Sequence, residues 1–170
     1  PHDERAVARA AGQLLALAGA GHVSGPERLR QAAASLDHLA RLAESPQQYE
    51  FYDLRREEEA IAAALNTPGL SVQAAHVLGA LGSPPAQRAL VDFASQHVRP
   101  LPARQAAADS FTAAVRRCGI GLTGGEVLLQ YDRYNQSAAL DGDTQKLLGA
   151  ILDTIEASRA KLQEEASRSQ

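Results

Sequence analysis

Ser71-Val72-Gln73-Ala74-Ala75-His76-Val77-Leu78-Gly79-Ala80-Leu81-Gly82 is the stretch on which the fold assignment rests. Its Gln-Ala-Ala triplet at residues 73–75 recurs at residues 105–107, 32 positions later, and a weaker copy lies 42 positions earlier at residues 31–33. Self-similarity at a spacing of roughly 20–50 residues is typical of stacked structural repeats. The sequence therefore predicts an architecture and says little about chemistry.

Composition and charge narrow the class of protein. The chain has 170 residues, of which 45% are hydrophobic but only 4% aromatic, so alanine supplies much of the apolar surface. A core of this kind depends on close contact between helices rather than on large rings. The formal net charge is −3. Nucleic-acid-binding domains usually carry a basic surplus, so nucleic acid is disfavoured as a partner.

Cysteine content and hydropathy bear on the compartment. The single cysteine, Cys118, excludes an intrachain disulfide and favours a reducing environment. No apolar run approaches the ~20 residues that span a bilayer, and the N-terminus shows no signal-peptide pattern. We therefore expect a cytoplasmic protein with no membrane partner. The chain starts at Pro1 and has no methionine, which predicts a fragment of a larger protein.

Apolar residues recur at helical spacing along most of the chain, and no segment shows the alternation that strands need. Capping and stop signals divide this pattern into about eight helices joined by short turns. We expect one helical-repeat domain over residues 1–156. Its parts are an N-terminal pair (1–45), two central pairs (46–82 and 83–119) and a C-terminal capping pair (120–156), followed by a polar helical extension or tail (157–170).

Polar residues mark the starts of several predicted helices. Ser83 precedes two prolines, and Thr123 stands three residues before Glu126, as in a capping box. Ser71 is expected to cap the helix that begins there. The segment 141–143, Asp-Gly-Asp, is similar to the start of a calcium loop, but the later acidic positions and the closing glutamate are missing. A helix cap is the better interpretation of Asp141.

Residues 60–118 resemble HEAT-type repeats, which are armadillo-like α-helical repeats. In that family an outer helix rich in Ala and Leu leads by a tight turn to an inner helix that starts with paired alanines and ends at Leu-Gly. Residues 71–82 are similar to such an inner helix. The next outer and inner helices are represented by Ala86-Gln87-Arg88-Ala89-Leu90-Val91-Asp92-Phe93-Ala94 and by Pro102-Ala103-Arg104-Gln105-Ala106-Ala107-Ala108.

This resemblance implies an all-α fold, a right-handed stack of antiparallel helix pairs that forms an alpha-alpha superhelix. Residues after Gly119 depart from the pattern and are expected to form a capping unit. Stacked helices give a rigid extended surface that suits recognition, and the repeat together with the lack of a complete catalytic set predicts a non-enzymatic scaffold. The resemblance therefore implies a surface for a protein partner, or for another domain of the parent chain.

No pattern in the sequence completes a catalytic or metal-binding set, so we expect neither enzymatic activity nor a cofactor or metal. The five histidines include no His-x-x-x-His pair. His76 resembles the phosphoacceptor of a phosphotransfer domain, but the expected lysine is missing, and a position beside the repeat core is favoured. Cys118 follows two arginines that would favour a thiolate, although a buried cysteine at a helix end is the preferred interpretation.

The candidate binding residues are tyrosines and charged residues of the kinds enriched at protein interfaces. They are Tyr131, Asp132, Arg133 and Tyr134 in one cluster, Tyr49 and Tyr52 in a second, and Arg116 and Arg117 in a third. Two alternatives to a protein-binding scaffold stay open. One is binding of a nucleic-acid backbone by arginines that share a face (Arg99, Arg104, Arg116 and Arg117), and the other is a phosphotransfer or lyase-type activity.

Overall fold

The computed structural model describes residues 26–44 and 57–168, and the regular elements in these ranges are all α-helices, which confirms the predicted all-α class. The remaining residues, including part of the first predicted helix pair, lie outside the described ranges. The helices of the described part are α1 (Pro26–Glu44), α2 (Glu58–Ala64), α3 (Ser71–Leu81), α4 (Pro84–Ala94), α5 (Leu101–Cys118), α6 (Gly124–Ser137) and α7 (Gly142–Arg168). They fall into two compact units, of which the first ends at Leu81 and the second begins at Gly82.

In the first unit, both α1 and α2 pack against α3. Helix α1 buries Ala32, Leu36 and Leu39, which recur at the spacing of one helical face. Helix α3 buries both alanines of its Gln-Ala-Ala triplet, Ala74 and Ala75. Of the paired alanines, both in α3 lie in the core, whereas in α1 Ala32 is buried and Ala33 is only half-buried.

The turn before α3 depends on a glycine and on a serine hydroxyl. Gly69 has a φ of +85°, and a Cβ atom there would lie 2.8 Å from Leu29 Cδ2 of α1. Only glycine combines this backbone conformation with so close an approach. The expected capping role of Ser71 is not what the structure shows. Ser71 is the first residue of α3, and its hydroxyl donates to the carbonyls of Leu65 at 2.7 Å and Thr67 at 3.3 Å.

In the second unit, α4 packs on α5, α6 packs on α7, and α7 also contacts α5 and α4. The core between them is mainly aliphatic and contains two aromatic rings, those of Phe93 and Phe111. Its largest fully buried side chains are Leu90, Phe111, Ile151 and Ile155. Helix α5 buries Ala107, Phe111, Ala114 and Val115 as predicted, while Ala106 is only half-buried.

The two helix pairs of this unit lie parallel to each other. Arg88 and Asp92 of α4 form ion pairs with Glu126 and Arg133 of α6, at sequence offsets of 38 and 41. Side chains of α5 and α7 likewise meet at offsets of 40, between Arg104 and Thr144, and 42, between Thr112 and Thr154. Because the offset is nearly constant from one end to the other, α4 runs parallel to α6 and α5 runs parallel to α7.

Gln87 joins the start of α4 to the loop after α5. Its side chain is 1% exposed, and its Nε2 donates to the carbonyls of Gly82 at 3.0 Å and Gly119 at 2.9 Å. Its Oε1 accepts from the Gly121 amide at 2.8 Å. A buried amide costs free energy unless it is hydrogen-bonded, and here three bonds satisfy it. This residue holds α4 and α5 antiparallel at one end.

Arg104 joins three helix ends at the opposite end of α5. The residue is 2% exposed, its Nε donates to the Ala94 carbonyl at 2.8 Å, and its Nη1 donates to Thr144 Oγ1 at 2.9 Å. The Thr144 hydroxyl donates in turn to Asp141 Oδ2 at 2.6 Å. Burial lowers the pKa of Arg104, and the nearby Asp141 carboxylate acts in the opposite direction. The Arg104 guanidinium, in the first turn of α5, therefore joins the last carbonyl of α4 to the first turn of α7.

Three of the predicted caps are confirmed in this unit. Asp141 caps α7, because its Oδ1 accepts the Thr144 amide at 2.6 Å. These hydrogen bonds from Thr144 hold the pKa of Asp141 below its ordinary value. Thr123 and Glu126 form a reciprocal capping box at the start of α6, and Ser83 accepts the Ala86 amide at the start of α4.

Replacing Ala107 with Leu is expected to lower the free energy of unfolding by ~1–3 kcal/mol, because the added carbons over-pack a contact with no spare volume. Ala107 is 0% exposed, whereas Ala113 on the same helix is exposed and offers a matched control. Chemical denaturation followed by circular dichroism measures both variants. Equal stability of Ala107→Leu and Ala113→Leu would show that the assigned inner face of α5 is wrong.

Replacing Thr144 with Val is expected to lower the free energy of unfolding by about 1–3 kcal/mol, because it leaves a donor of the buried Arg104 unpaired. Thr154→Val is the matched control. Thr154 is on the same helix and is bonded to Thr112 at 3.1 Å, but its position is only partly buried. Denaturation curves should show the larger loss for Thr144→Val, and the reverse order would contradict the role of the Arg104 contact.

Candidate functional site

A groove of about 540 Å³ lies between the C-terminal half of α5 and the facing side of α7. We call it the α5–α7 groove. The α5 wall consists of Thr112, Val115, Arg116 and Arg117, together with Gly119 just past the end of the helix. On α7 it is lined by Asp153, Thr154, Ala157, Ser158, Lys161, Leu162 and Glu165. Both sets recur every three to four residues, so one face of each helix forms a wall.

The groove exists because α7 is much longer than α5. Helix α5 ends at Cys118, where Gly119 adopts a φ of +78° and terminates it. The offset of 42 seen at the Thr112–Thr154 contact places residue 160 level with the end of α5, and α7 continues to Arg168. About eight residues, or roughly 12 Å at 1.5 Å per residue, therefore extend past α5. This overhang forms the far wall of the groove.

Charge is distributed unevenly along the groove. The offset of 42 between Thr112 and Thr154 also places Arg116 level with Ser158, and Gly119 level with Lys161, near the middle of the groove. Asp153 lies at one end of the α7 wall and Glu165 at the other. Lys161 and Glu165 approach to 3.9 Å, with side chains 76% and 57% exposed, and an ion pair so exposed contributes little free energy. The middle of the groove is cationic and its ends are anionic.

An apolar strip lies along the floor and the overhang of the groove. Val115 is buried, and Ala157 and Leu162 are exposed on the α7 wall, Leu162 to 52% of its surface. The hydroxyls of Thr112 and Thr154 are bonded to each other at 3.1 Å and need no ligand. The groove can therefore offer an incoming chain an apolar contact together with cationic side chains.

The structure places the sequence-predicted residues in different settings. Arg116 and Arg117 line the α5–α7 groove. Tyr49 and Tyr52 lie outside the described residues. Cys118 is exposed, so the expectation of a buried cysteine at the helix end is wrong. His76, which was expected beside the repeat core, is exposed on the surface of α3.

The cluster at residues 131–134 is used mainly in packing α6 onto its neighbours. The Tyr131 hydroxyl donates to Glu156 Oε1 of α7 at 2.7 Å, and the ring of Tyr134 lies against Gly149, also of α7. Arg133 Nη1 donates to Asp92 Oδ1 of α4 at 2.7 Å. Asp132 is the exposed member of the four.

The arginines of the nucleic-acid alternative do not share a face. Arg104 is buried at the start of α5, and Arg116 and Arg117 lie near its end, at least 12 residues or about 18 Å away along the helix. The Arg99 guanidinium lies 5.6 Å from the centre of the Phe93 ring. The four-arginine arrangement is therefore wrong.

Sequence inspection missed three groove residues, Asp153, Lys161 and Leu162. They fall in or near the segment where the apolar pattern thins, which was expected to be a helical extension or a tail. The available signal was the i, i+4 spacing from Asp153 to Lys161 through Ala157 and from Thr154 to Leu162 through Ser158, because such spacing places each row along one side of the helix. Only the parallel alignment of α7 with α5 shows that this face meets Arg116.

Among the described residues, no group of three or more His, Cys, Asp or Glu side chains is arranged to hold a metal ion. None of the described helices has the length and apolar character needed to cross a membrane. Comparisons of the chain with protein-family models, with curated proteins and with solved structures gave no match.

Replacing Glu156 with Gln is expected to lower the pKa of Tyr131, because the Glu156 carboxylate accepts its hydroxyl and raises that pKa above the ordinary value. The bond stabilises the fold below the ordinary tyrosine pKa of about 10 and is lost as the pH rises through the raised pKa. Absorbance titration of tyrosinate measures the shift, with Tyr131→Phe identifying the transition. An unchanged titration in Glu156→Gln would mean that Tyr131 is not held against α7 in solution.

Proposed function

We propose that this chain is a HEAT-like helical-repeat scaffold, without enzymatic activity, that binds a protein partner in the α5–α7 groove. The observation that carries this proposal is the parallel stacking of two antiparallel helix pairs at sequence offsets of 38 to 42. HEAT and armadillo repeats have periods of ≈ 40–47 residues. In a closed up-and-down bundle the second and fourth helices lie diagonally across the core, whereas here α5 packs directly against α7.

The stacking gives the helices two roles that match the outer and inner helices of the repeat family. Helices α4 and α6 would form the outer layer, and α5 and α7 the inner layer of a right-handed superhelix. The triplet at residues 105–107 lies in α5, and the triplet at residues 73–75 lies in α3. Stacked repeats bind their partners on the extended surface that successive equivalent helices build.

The groove has the size and lining expected of a peptide-binding site. Its volume of about 540 Å³ lies within the usual range of ≈ 300–1,000 Å³ for pockets that bind ligands. Arginine is enriched at protein interfaces, and exposed leucine offers an apolar anchor. The partner would be another protein or another domain of a longer parent chain, and the cytoplasm is the compartment that we favour for this interaction.

Affinity purification from a cell extract is expected to retain a set of proteins that depends on the groove. The groove variant is Arg116→Ala with Lys161→Ala, and the matched control is Arg159→Ala with Arg168→Ala, which removes the same charge from exposed positions of α7 that do not line the groove. Quantitative mass spectrometry should show partners retained by wild type and control and reduced about tenfold or more by the groove variant.

A second comparison tests the outward side of α6, where Leu128 and Leu129 are 66% and 44% exposed. Leu128→Ser with Leu129→Ser should leave the retained set unchanged. Loss of all partners in this variant alone would assign the binding surface to α6 and overturn the groove as the site. Retention of an identical set by all variants would contradict both surfaces.

A further inference from the structure

The charge pattern of the α5–α7 groove points to the chemistry of its occupant. We propose that the groove receives a short acidic segment of a partner protein, with Asp or Glu at its centre, an apolar residue beside them and basic or neutral residues at its ends. This inference rests on the proposed function and specifies the partner class for the same groove.

The centre of the groove supplies the attraction. Arg116 is exposed, and its guanidinium can form bidentate hydrogen bonds with a carboxylate. Lys161 faces the same level of the groove across the end of α5, and its pairing with Glu165 at 3.9 Å is too exposed to neutralise it. An acidic segment is thus attracted to the middle of the groove.

The ends of the groove set the length of the acidic stretch. Asp153 and Glu165 are 12 residues apart on α7, which corresponds to about 18 Å along the helix axis. An extended peptide covers this distance with about five or six residues. A longer run of negative charge would meet both carboxylates, so the acidic part of the ligand must be shorter than this and the flanking residues neutral or basic.

The carboxylates at the two ends of the groove also favour an acidic protein segment over a nucleic acid as the ligand. A nucleic-acid strand carries a phosphate about every 3.4 Å along B-form DNA and would therefore place negative charge against Asp153, Glu165 and the middle of the groove together. The chain also has a net charge of −3. An acidic peptide with neutral flanks satisfies the groove, whereas a uniform polyanion does not.

The apolar strip explains why an acidic residue alone is insufficient. Leu162 is 52% exposed on the overhang, and Ala157 lies five residues before it on the same wall. An apolar side chain next to the central carboxylate would cover both of these residues and remove apolar surface from water, at roughly 25 cal/mol per Å². The carboxylates determine the position of the segment in the groove, and the apolar contact adds affinity.

Selection from a phage library of random linear peptides, with the whole chain as bait, tests this inference. The wild-type protein should enrich peptides that have central Asp or Glu next to an apolar residue. A synthetic peptide of the enriched sequence should bind about tenfold or more weakly to Arg116→Ala/Lys161→Ala, and unchanged to the control Arg159→Ala/Arg168→Ala. Thermal melts of each variant verify that it is folded.

Charge reversal gives the decisive comparison. Arg116→Glu/Lys161→Glu should enrich peptides with central Lys or Arg, while Asp153→Lys/Glu165→Lys should enrich longer acidic stretches. Peptides that depend on the groove but lack acidic centres would overturn this inference and leave the proposed function in place. If no peptide depended on the groove, the proposed function itself would lose its support.

A nucleic-acid titration completes the set of outcomes. Labelled single-stranded RNA and DNA oligonucleotides of mixed sequence, mixed with the protein at physiological salt, should show no binding that Arg116→Ala/Lys161→Ala removes. Binding of an oligonucleotide more tightly than any selected peptide, with loss in that variant, would identify a polyanion as the ligand and overturn the assignment to an acidic protein segment.

Discussion

The buried guanidinium of Arg104 is the interaction on which the second unit depends. A buried charge is costly unless hydrogen bonds and an opposite charge accompany it. Arg104 receives these from the Ala94 carbonyl, from Thr144 and from the neighbouring Asp141 carboxylate, and its Nη2 has no hydrogen-bond partner among the described residues. Because these groups belong to three helix ends, α5 and α7 must start side by side. Because the two helices start together and α7 is longer, α7 extends beyond the end of α5, and this extension forms one wall of the α5–α7 groove.

Local signals in the sequence predicted the helices well. The residues that start and stop helices act within one turn, so Ser83, the Thr123–Glu126 box and Asp141 could be recognised without knowledge of any neighbour. The apolar spacing on α5 also predicted its buried face, since four of five named residues lie in the core. Such features need only the geometry of a single helix.

Contacts between helices could not be predicted in the same way. The sequence did not decide whether Tyr131 and Arg133 form a binding surface or pack against neighbours, because nothing near them in sequence identifies Glu156 or Asp92 as partners. For the same reason Arg104 was expected on a basic surface, although it is buried, and Cys118 was expected to be buried, although it is exposed. The segment after Glu156 lacks an apolar stripe, yet it remains helical to Arg168, with the pairs Lys161–Glu165 and Glu164–Arg168 one turn apart on its exposed surface.

The near-constant offset between the two helix pairs has a consequence for how the chain folds. The hydrogen bonds that link α4 to α6 and α5 to α7 join residues only 38 to 42 positions apart. The entropy cost of closing loops of this length is limited, because it rises only with the logarithm of the number of residues. The α6–α7 pair can therefore dock on the α4–α5 pair as soon as it has left the ribosome, without waiting for any later part of the chain.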